Sequence, residues 1–146
     1  MKKLALTDFA KYRYPSALEL SPDGRYLTFA LKEVDREGDG YRWNLWLYDL
    51  ESRESRQITR GDDQRQAVWE DNTHILYKTT ELDEAMRARG FEEEWTVYHR
   101  LNVCTGEERE AFRLPMSVSG LWKMDEGRYV FTGETHLDRP NLLELT

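Results

Sequence analysis

The chain has one cysteine, three histidines and no long apolar segment, and each scarcity excludes a class of protein. Cys104 stands alone among 146 residues, so no internal disulfide can form. No apolar stretch approaches the roughly 20 residues that a membrane-spanning helix needs. The first eight residues include two lysines but lack the apolar core of a signal peptide, because Asp8 interrupts them. We therefore expect a cytoplasmic protein with no membrane partner.

Basic residues are outnumbered by acidic ones, 21 against 28, which leaves a net charge of −7. The basic residues also alternate with acidic ones instead of forming a stripe. Since nucleic-acid binding depends on clustered Lys and Arg, we expect no nucleic-acid partner. The hydrophobic share is only 39 %, but five Trp and eight Tyr offer large side chains for a packed core, unlike a disordered segment.

Sequence motifs for catalysis and metal binding are missing. There is no Gly-x-Ser-x-Gly nucleophile elbow and no glycine-rich phosphate loop. The segment 35–40 begins like a calcium loop, but Glu37 and Trp46 occupy its third and twelfth positions, where Asp or Asn and then Glu are required. No histidine stands at ligand spacing from another histidine or from Cys104, which we interpret as a small strand residue. We predict no catalytic residue, no cofactor and no metal ligand, with His74 and His99 in strands and His136 in a loop.

A short unit recurs three times along the chain, over residues 18–30, 67–78 and 120–132. Each copy consists of an apolar strand, a tight polar turn and an alternating strand. The equivalent positions Leu20, Trp69 and Trp122 are 49 and 53 residues apart. A β-unit that repeats every 40–50 residues or so is typical of a propeller blade. The sequence therefore predicts an all-β fold: a partial β-propeller with about two complete four-stranded antiparallel blades and an incomplete third.

The blades are predicted over 16–63, 64–114 and 115–146, after an amino-terminal arm at 1–15 that holds a short helix from Asp8 and ends at Pro15. Turn residues support the first blade, because proline, aspartate and glycine in Ser21–Gly24 favour a tight turn. The predicted strands lie at 17–20, 25–32, 43–50, 55–59, 66–69, 73–80, 95–104, 107–113, 118–123, 128–133 and 141–145. An open wedge of this kind would leave apolar surface uncovered, so we expect a fragment of a longer protein or a chain that associates with itself.

Two long connections, 33–42 and 81–94, are expected on one face of the propeller, where binding usually occurs. In the second connection, good helix formers over 82–89 predict a helix of one or two turns that Gly90 ends. Glu92, Glu93 and Glu94 follow as a possible interaction loop for a peptide amino terminus or a basic partner. The alternative interpretation is a solvated run of charges.

Five tryptophans fall in predicted strands at comparable places in the repeat: Trp43, Trp46, Trp69, Trp95 and Trp122. They could form a stacking platform for nucleic acid or sugar. Their equivalent placement favours packing between blades instead.

An ordered set of segments, Leu6–Phe9, Leu20–Gly24, Asn44–Leu50 and Tyr98–Asn102, resembles the amino-terminal start of prolyl-oligopeptidase-family serine peptidases, in particular the acylaminoacyl-peptidase-like branch. The resemblance covers essentially the whole chain. It implies a propeller, often seven-bladed, that guards a carboxy-terminal α/β-hydrolase domain whose Ser-Asp-His triad cleaves short peptides. No position here matches the motifs of that triad.

The resemblance implies a non-catalytic gating and interaction segment of a cytoplasmic serine peptidase that acts on short peptides. Its partners would be the α/β-hydrolase domain of the same parent chain, peptides, and other copies of the chain through open blade faces. Two alternatives remain open: a stand-alone propeller that binds proteins, and a propeller that binds carbohydrate or another small ligand.

Overall fold

The computed structural model describes residues 11–35, 37, 40–90 and 94–134. Its elements are ten strands and one short helix, in the order β1 (Tyr14–Leu20), β2 (Tyr26–Asp35), β3 (Gly40–Asp49), β4 (Glu54–Gln57), β5 (Val68–Trp69), β6 (His74–Leu82), α1 (Glu84–Arg87), β7 (Glu94–Asn102), β8 (Glu108–Leu114), β9 (Ser117–Asp125) and β10 (Arg128–Glu134).

The strands form three antiparallel sheets in chain order. The first sheet has the order β1-β2-β3-β4, the second has β5-β6-β7-β8, and the third pairs β9 with β10. Each sheet is a meander of neighbouring strands, as in a propeller blade. The all-β fold predicted from the repeat is confirmed, and the described sheets do not close into a ring. The predicted third strand of the third blade at 141–145 and the start of the predicted arm helix at Asp8 lie outside the described residues.

The turns follow from local side-chain chemistry. The Ser21 Oγ donates to Asp23 at 2.7 Å and accepts from the Tyr26 N–H at 2.9 Å, while Gly24 adopts a φ of 75°. In the second sheet Asp71 stabilises the equivalent turn, since one of its carboxylate oxygens accepts from the Thr73 and His74 N–H groups, both at 2.8 Å. The same tight turn is therefore built twice with different residues.

The first predicted long connection is wrong in its extent. Residues 33–35 and 40–42 belong to β2 and β3, where Glu33 pairs with Arg42 and Asp35 pairs with Gly40. Cross-strand ion pairing explains the longer strands, because Arg42 lies 3.6 Å from the Glu33 carboxylate and Arg13 lies 3.0 Å from it. Pro15 likewise lies within β1, paired with Leu31, where an edge position tolerates its missing N–H.

The first core cluster lies between the first and second sheets. It joins Ala30, Leu45 and Leu47 of the first sheet to Ile75, Tyr77 and other residues of the second: Ala67, Trp69, Leu101 and Val103. Ala30, Leu45 and Ile75 are fully buried. Burial of this apolar surface is the main source of cohesion between the two sheets.

The second core cluster lies between the second and third sheets. Leu76 and Tyr98 of the second sheet pack against Met116, Val118 and Leu121. Since side chains alternate along a strand, Ile75 and Leu76 enter opposite clusters, and the second sheet is covered on both faces. A buried hydrogen-bond bridge adds to this packing: the Thr96 hydroxyl donates to the Met116 carbonyl at 2.7 Å and accepts from the Val118 N–H at 3.0 Å.

Only one of the five tryptophans packs between the described sheets as predicted. Trp69 is buried, lies parallel to Tyr26 with ring centroids 6.3 Å apart, and donates its indole N–H to the Glu19 carbonyl at 3.2 Å. Trp122 is 51 % exposed, so the prediction of inter-blade packing is wrong for it. Trp122 follows the buried Leu121 on β9, so its indole lies on the opposite face of the third sheet, which no described sheet covers. Trp43, Trp46 and Trp95 are half-buried.

Candidate interaction surfaces

The connection between β6 and β7 contains the predicted helix. Asp83 caps α1 by accepting from the Ala85 and Met86 N–H groups at 3.0 and 3.1 Å. Its other carboxylate oxygen accepts from the Trp95 indole N–H at 2.8 Å, which ties the helix to β7. Gly90 follows with a φ of 85°, a left-handed conformation that suits a residue after a helix.

The predicted interaction loop is only partly described. Glu94 opens β7, is exposed and pairs with Leu82 across the strands. Glu92 and Glu93 lie outside the described residues. A role of these three acids in receiving a peptide or basic partner therefore stays a prediction.

The described histidines and the cysteine have ordinary neighbours. His74 Nδ1 lies 3.0 Å from the Asp71 carboxylate, and His99 Nε2 lies 2.8 Å from the Thr79 hydroxyl. Cys104 is exposed, with its Sγ 3.5 Å from the Tyr26 hydroxyl. Within the described ranges, no group of three or more His, Cys, Asp or Glu side chains is placed to hold a metal ion. His136 lies outside these ranges.

A charged network spans the second and third sheets. Glu70, whose side chain is 13 % exposed, accepts from Arg100 Nη2 at 3.0 Å and from the Tyr129 hydroxyl at 2.5 Å. The Lys123 ammonium donates to the Glu70 carbonyl. Burial raises the pKa of Glu70, but the hydrogen bonds from Arg100 and Tyr129 outweigh it and hold the pKa below its usual value. Burial, together with the bond to Glu70, raises the pKa of Tyr129 to about 12.

A cluster of aromatic and cationic side chains, which we call the tip cluster, lies at the end of the first sheet where β2 meets β3. It comprises Lys32, Tyr41, Trp43, Asp63 and Arg65. The Lys32 Nζ lies 3.8 Å from the Tyr41 ring centroid and 5.4 Å from that of Trp43. The Arg65 guanidinium lies 3.9 Å from the Trp43 centroid and bonds to the Asp63 carboxylate at 2.8 Å.

Sequence reasoning missed the tip cluster. Tyr41 and Trp43 alternate along β3, and Lys32 pairs with Trp43 across the sheet. Their shared face could have been read from that alternation once the strand was extended to residue 40. The position of Arg65 could not have been predicted, because the connection after β4 returns to the edge of β3 and no local sequence pattern indicates this path.

Two sheet faces have no sheet packed on them in the described part of the chain. On the third sheet, Trp122 pairs with Val130, and both are about half exposed. On the first sheet, Leu20 pairs with Leu27 and Phe29 pairs with Trp46, on the face opposite Ala30 and the first core cluster. The indole N–H of Trp46 is buried and has no acceptor among the residues that the structure describes. We call these two faces the free faces, because no described sheet covers their apolar side chains.

No helix among the described residues combines the length and apolar character needed to cross a bilayer.

Comparison with solved structures decides the architecture. The β-propeller domain of the Trilobed protease from Pyrococcus furiosus, described as having an open velcro topology, superposes with a TM-score of 0.59 at 14 % identity. The chain has the fold of a β-propeller segment. Acylaminoacyl peptidase from Pyrococcus horikoshii superposes with a TM-score of 0.65, also at 14 % identity. No family model and no curated protein matches the sequence.

The propeller segment is shorter than the solved chains it resembles. The matches cover 84 % and 91 % of this chain but only 34 % of the Trilobed protease domain and 19 % of the acylaminoacyl peptidase. The three sheets therefore correspond to a minority of each of those chains.

Proposed function

We propose that the chain forms the opening blades of a propeller in a prolyl-oligopeptidase-family serine peptidase, close to the acylaminoacyl-peptidase-like branch. The observation that carries the proposal is the agreement of two independent likenesses. The ordered segments from Leu6 to Asn102 resemble the start of that family, and the sheets superpose on the β-propeller domain of the Trilobed protease and on part of an acylaminoacyl peptidase.

In this role the chain is non-catalytic. It restricts access to a cytoplasmic α/β-hydrolase domain of the same parent protein and positions short peptides for cleavage. Two features support this division of work. The sequence contains no Gly-x-Ser-x-Gly nucleophile elbow, and the described histidines bond to Asp71 and to threonine hydroxyls. The tip cluster lies at the end of the first sheet where β2 meets β3, and the α1 connection lies at the corresponding end of the second sheet, between β6 and β7.

The first test measures hydrolysis. We expect the purified chain to show no cleavage of an N-acetylated dipeptide p-nitroanilide above the buffer rate. The same substrate should be cleaved by a protein extended through the downstream reading frame, which should encode Gly-x-Ser-x-Gly followed by Asp and His. Cleavage by the 146-residue chain that a serine-directed fluorophosphonate abolishes would contradict the proposal, and so would a downstream frame that encodes other motifs.

The free faces favour a second candidate function, a propeller module that binds another protein or a further copy of itself. Apolar side chains that are half exposed on two opposite sheets gain free energy when a partner covers them. Such a module would bind its partner without catalysing a reaction. A propeller that binds a small ligand such as a sugar is a variant of the same function.

Self-association has a direct measurement. We expect the sedimentation coefficient of the chain to rise with concentration, because the free faces bury apolar surface on contact. Val130→Asp, which puts a charge beside Trp122, should weaken this association by about tenfold, equivalent to ~1.4 kcal/mol. Leu50→Asp is the matched control, since Leu50 is about as exposed as Val130 but lies in the turn after β3. A chain that stays monomeric at all concentrations would refute self-association, and an equal effect of both variants would exclude the free face of the third sheet.

A further inference from the structure

The tip cluster is held in place by the backbone around it. The Trp43 N–H donates to the Asp62 carbonyl at 2.9 Å, and the Trp43 carbonyl accepts from the Gln64 N–H at 3.0 Å. Asn44 adds a bond to the Asp62 carboxylate at 2.8 Å. The segment that carries Asp63 and Arg65 is therefore fixed along the edge of β3, and the indole of Trp43 has a defined position.

The cations of the tip cluster exceed its acids. Asp63 bonds to Arg65 through the guanidinium Nε, and within the described part of the chain no carboxylate lies at ion-pair distance from Lys32. The ammonium of Lys32 makes its close contacts with the rings of Tyr41 and Trp43. An aromatic ring attracts a cation through its face but offers no lone pair, so N–H groups of Lys32 stay free to donate.

Several other cations of this chain, whose net charge is −7, lie against carboxylates. Arg25, Arg42, Arg100, Arg113 and Arg128 all make such pairs. A local excess of positive charge beside 55 %-exposed Tyr41 and half-buried Trp43 combines two kinds of recognition. The cations suit a carboxylate, and the rings suit an apolar or aromatic group attached to it.

We propose that the tip cluster binds the carboxylate end of a short peptide, with Lys32 donating to the carboxylate and the rings of Tyr41 and Trp43 contacting the terminal side chain. Arg65 adds positive charge beside the same indole. The choice of a peptide as the ligand rests on the proposed function, whereas the preference for a carboxylate rests on the geometry of the cluster.

The test is a titration of the ¹⁵N-labelled chain with N-acetylphenylalanine, N-acetylphenylalanine amide and acetate. The indole N–H resonance of Trp43, assigned by its loss in Trp43→Phe, reports on the cluster. We expect the acid to bind about tenfold more tightly than the amide, a difference of ~1.4 kcal/mol. Acetate should bind more weakly than the acid as well, because it lacks the ring and leaves Tyr41 uncovered.

Matched variants identify the residue responsible. Lys32→Gln should lower affinity for the acid about tenfold and leave affinity for the amide unchanged, while Lys32→Arg should retain preference for the acid. Arg109→Gln removes an exposed cation of β8 and should change neither value. Dispersion of the amide spectrum shows that each variant is folded.

Equal binding of acid and amide would overturn the proposal, as would an Arg109→Gln effect as large as that of Lys32→Gln. Absence of any shift at Trp43 would also overturn it. Acid-induced shifts confined to other residues would exclude the tip cluster but leave the peptidase proposal standing. The hydrolysis test of the extended protein can fail without affecting this titration, so the two failures are distinguishable.

Discussion

Ile75→Ala should lower the free energy of unfolding by about 3 kcal/mol, within the ~2–5 kcal/mol typical of large-to-small substitutions in a core. Ile75 is fully buried in the cluster that joins the first and second sheets. Its truncation removes apolar contacts and leaves a cavity that neighbouring β-sheet residues, held by their strand pairing, cannot fill. Chemical denaturation followed by tryptophan fluorescence measures the change, because Trp69 lies in the same cluster.

Leu50→Ala is the control for Ile75→Ala. Leu50 is 45 % exposed after the end of β3, so its truncation should cost about 0.5 kcal/mol or less. The loss at Ile75 should also lower hydrogen-exchange protection in both sheets, since the cluster is their common core. Equal losses in the two variants, or a protection change confined to the second sheet, would show that the described packing between these sheets does not exist in solution.

Glu70→Ala should destabilise the third sheet by about 2–3 kcal/mol. Removing one partner of a buried ion pair costs ~3–5 kcal/mol, and the value is smaller here because Arg100 keeps some contact with water. The variant leaves the Arg100 guanidinium and the Tyr129 hydroxyl without their shared acceptor. Hydrogen exchange at the amides of β9 and β10 should speed up most, because the Tyr129 hydroxyl of β10 loses its acceptor on the Glu70 side chain. The bond from Lys123 to the backbone carbonyl of residue 70 is kept in this variant.

Glu110→Ala serves as the control for Glu70→Ala. Glu110 also pairs with an arginine, at 2.6 Å from Arg113, but both side chains are more than 40 % exposed. An exposed pair of this kind adds little to stability, because water screens both charges. If the two variants lost the same stability, the network around Glu70 would have no special part in holding the third sheet.

The contribution of Glu70 should also depend on pH in a defined direction. Its pKa is lower in the folded chain than in the unfolded chain, where a glutamate titrates near ~4.3. The stabilisation is therefore complete above that pH and is lost as the pH falls through the lower folded value. The difference in unfolding free energy between the wild type and Glu70→Gln should shrink over this acidic range, which denaturant titrations at several pH values would show.

Local chemistry accounts for what could be predicted. The turn at Ser21–Gly24 follows from the hydrogen bonds of Ser21 and Asp23 and the positive φ of Gly24, all within four residues. The helix after Asp83 begins at a capping carboxylate, and the turn that follows its end at Arg87 closes at Gly90, whose φ is positive. Period-two alternation placed the strands of the first two sheets close to their observed positions, because one apolar face in each had to be buried.

The extent of β2 and β3 was harder to predict, because the charged residues at their ends suggested a loop. Glu33 and Arg42 form a cross-strand pair that continues the sheet, and only the register of the strands brings them together. The equivalence of the tryptophans failed for a similar reason. Trp69 and Trp122 occupy matching places in the repeat, but a neighbouring sheet covers only Trp69.

The amino-acid sequence by itself determined that this protein is a meander of short strands in repeated units, since turns and alternation depend on residues near one another in the chain. Only the tertiary structure decided which surfaces the sheets share. The Glu70 network joins residues 70, 100 and 129, and the tip cluster joins residues 32, 43 and 65. These contacts depend on how whole sheets stack and on how the connection after β4 returns to β3, which no local pattern specifies.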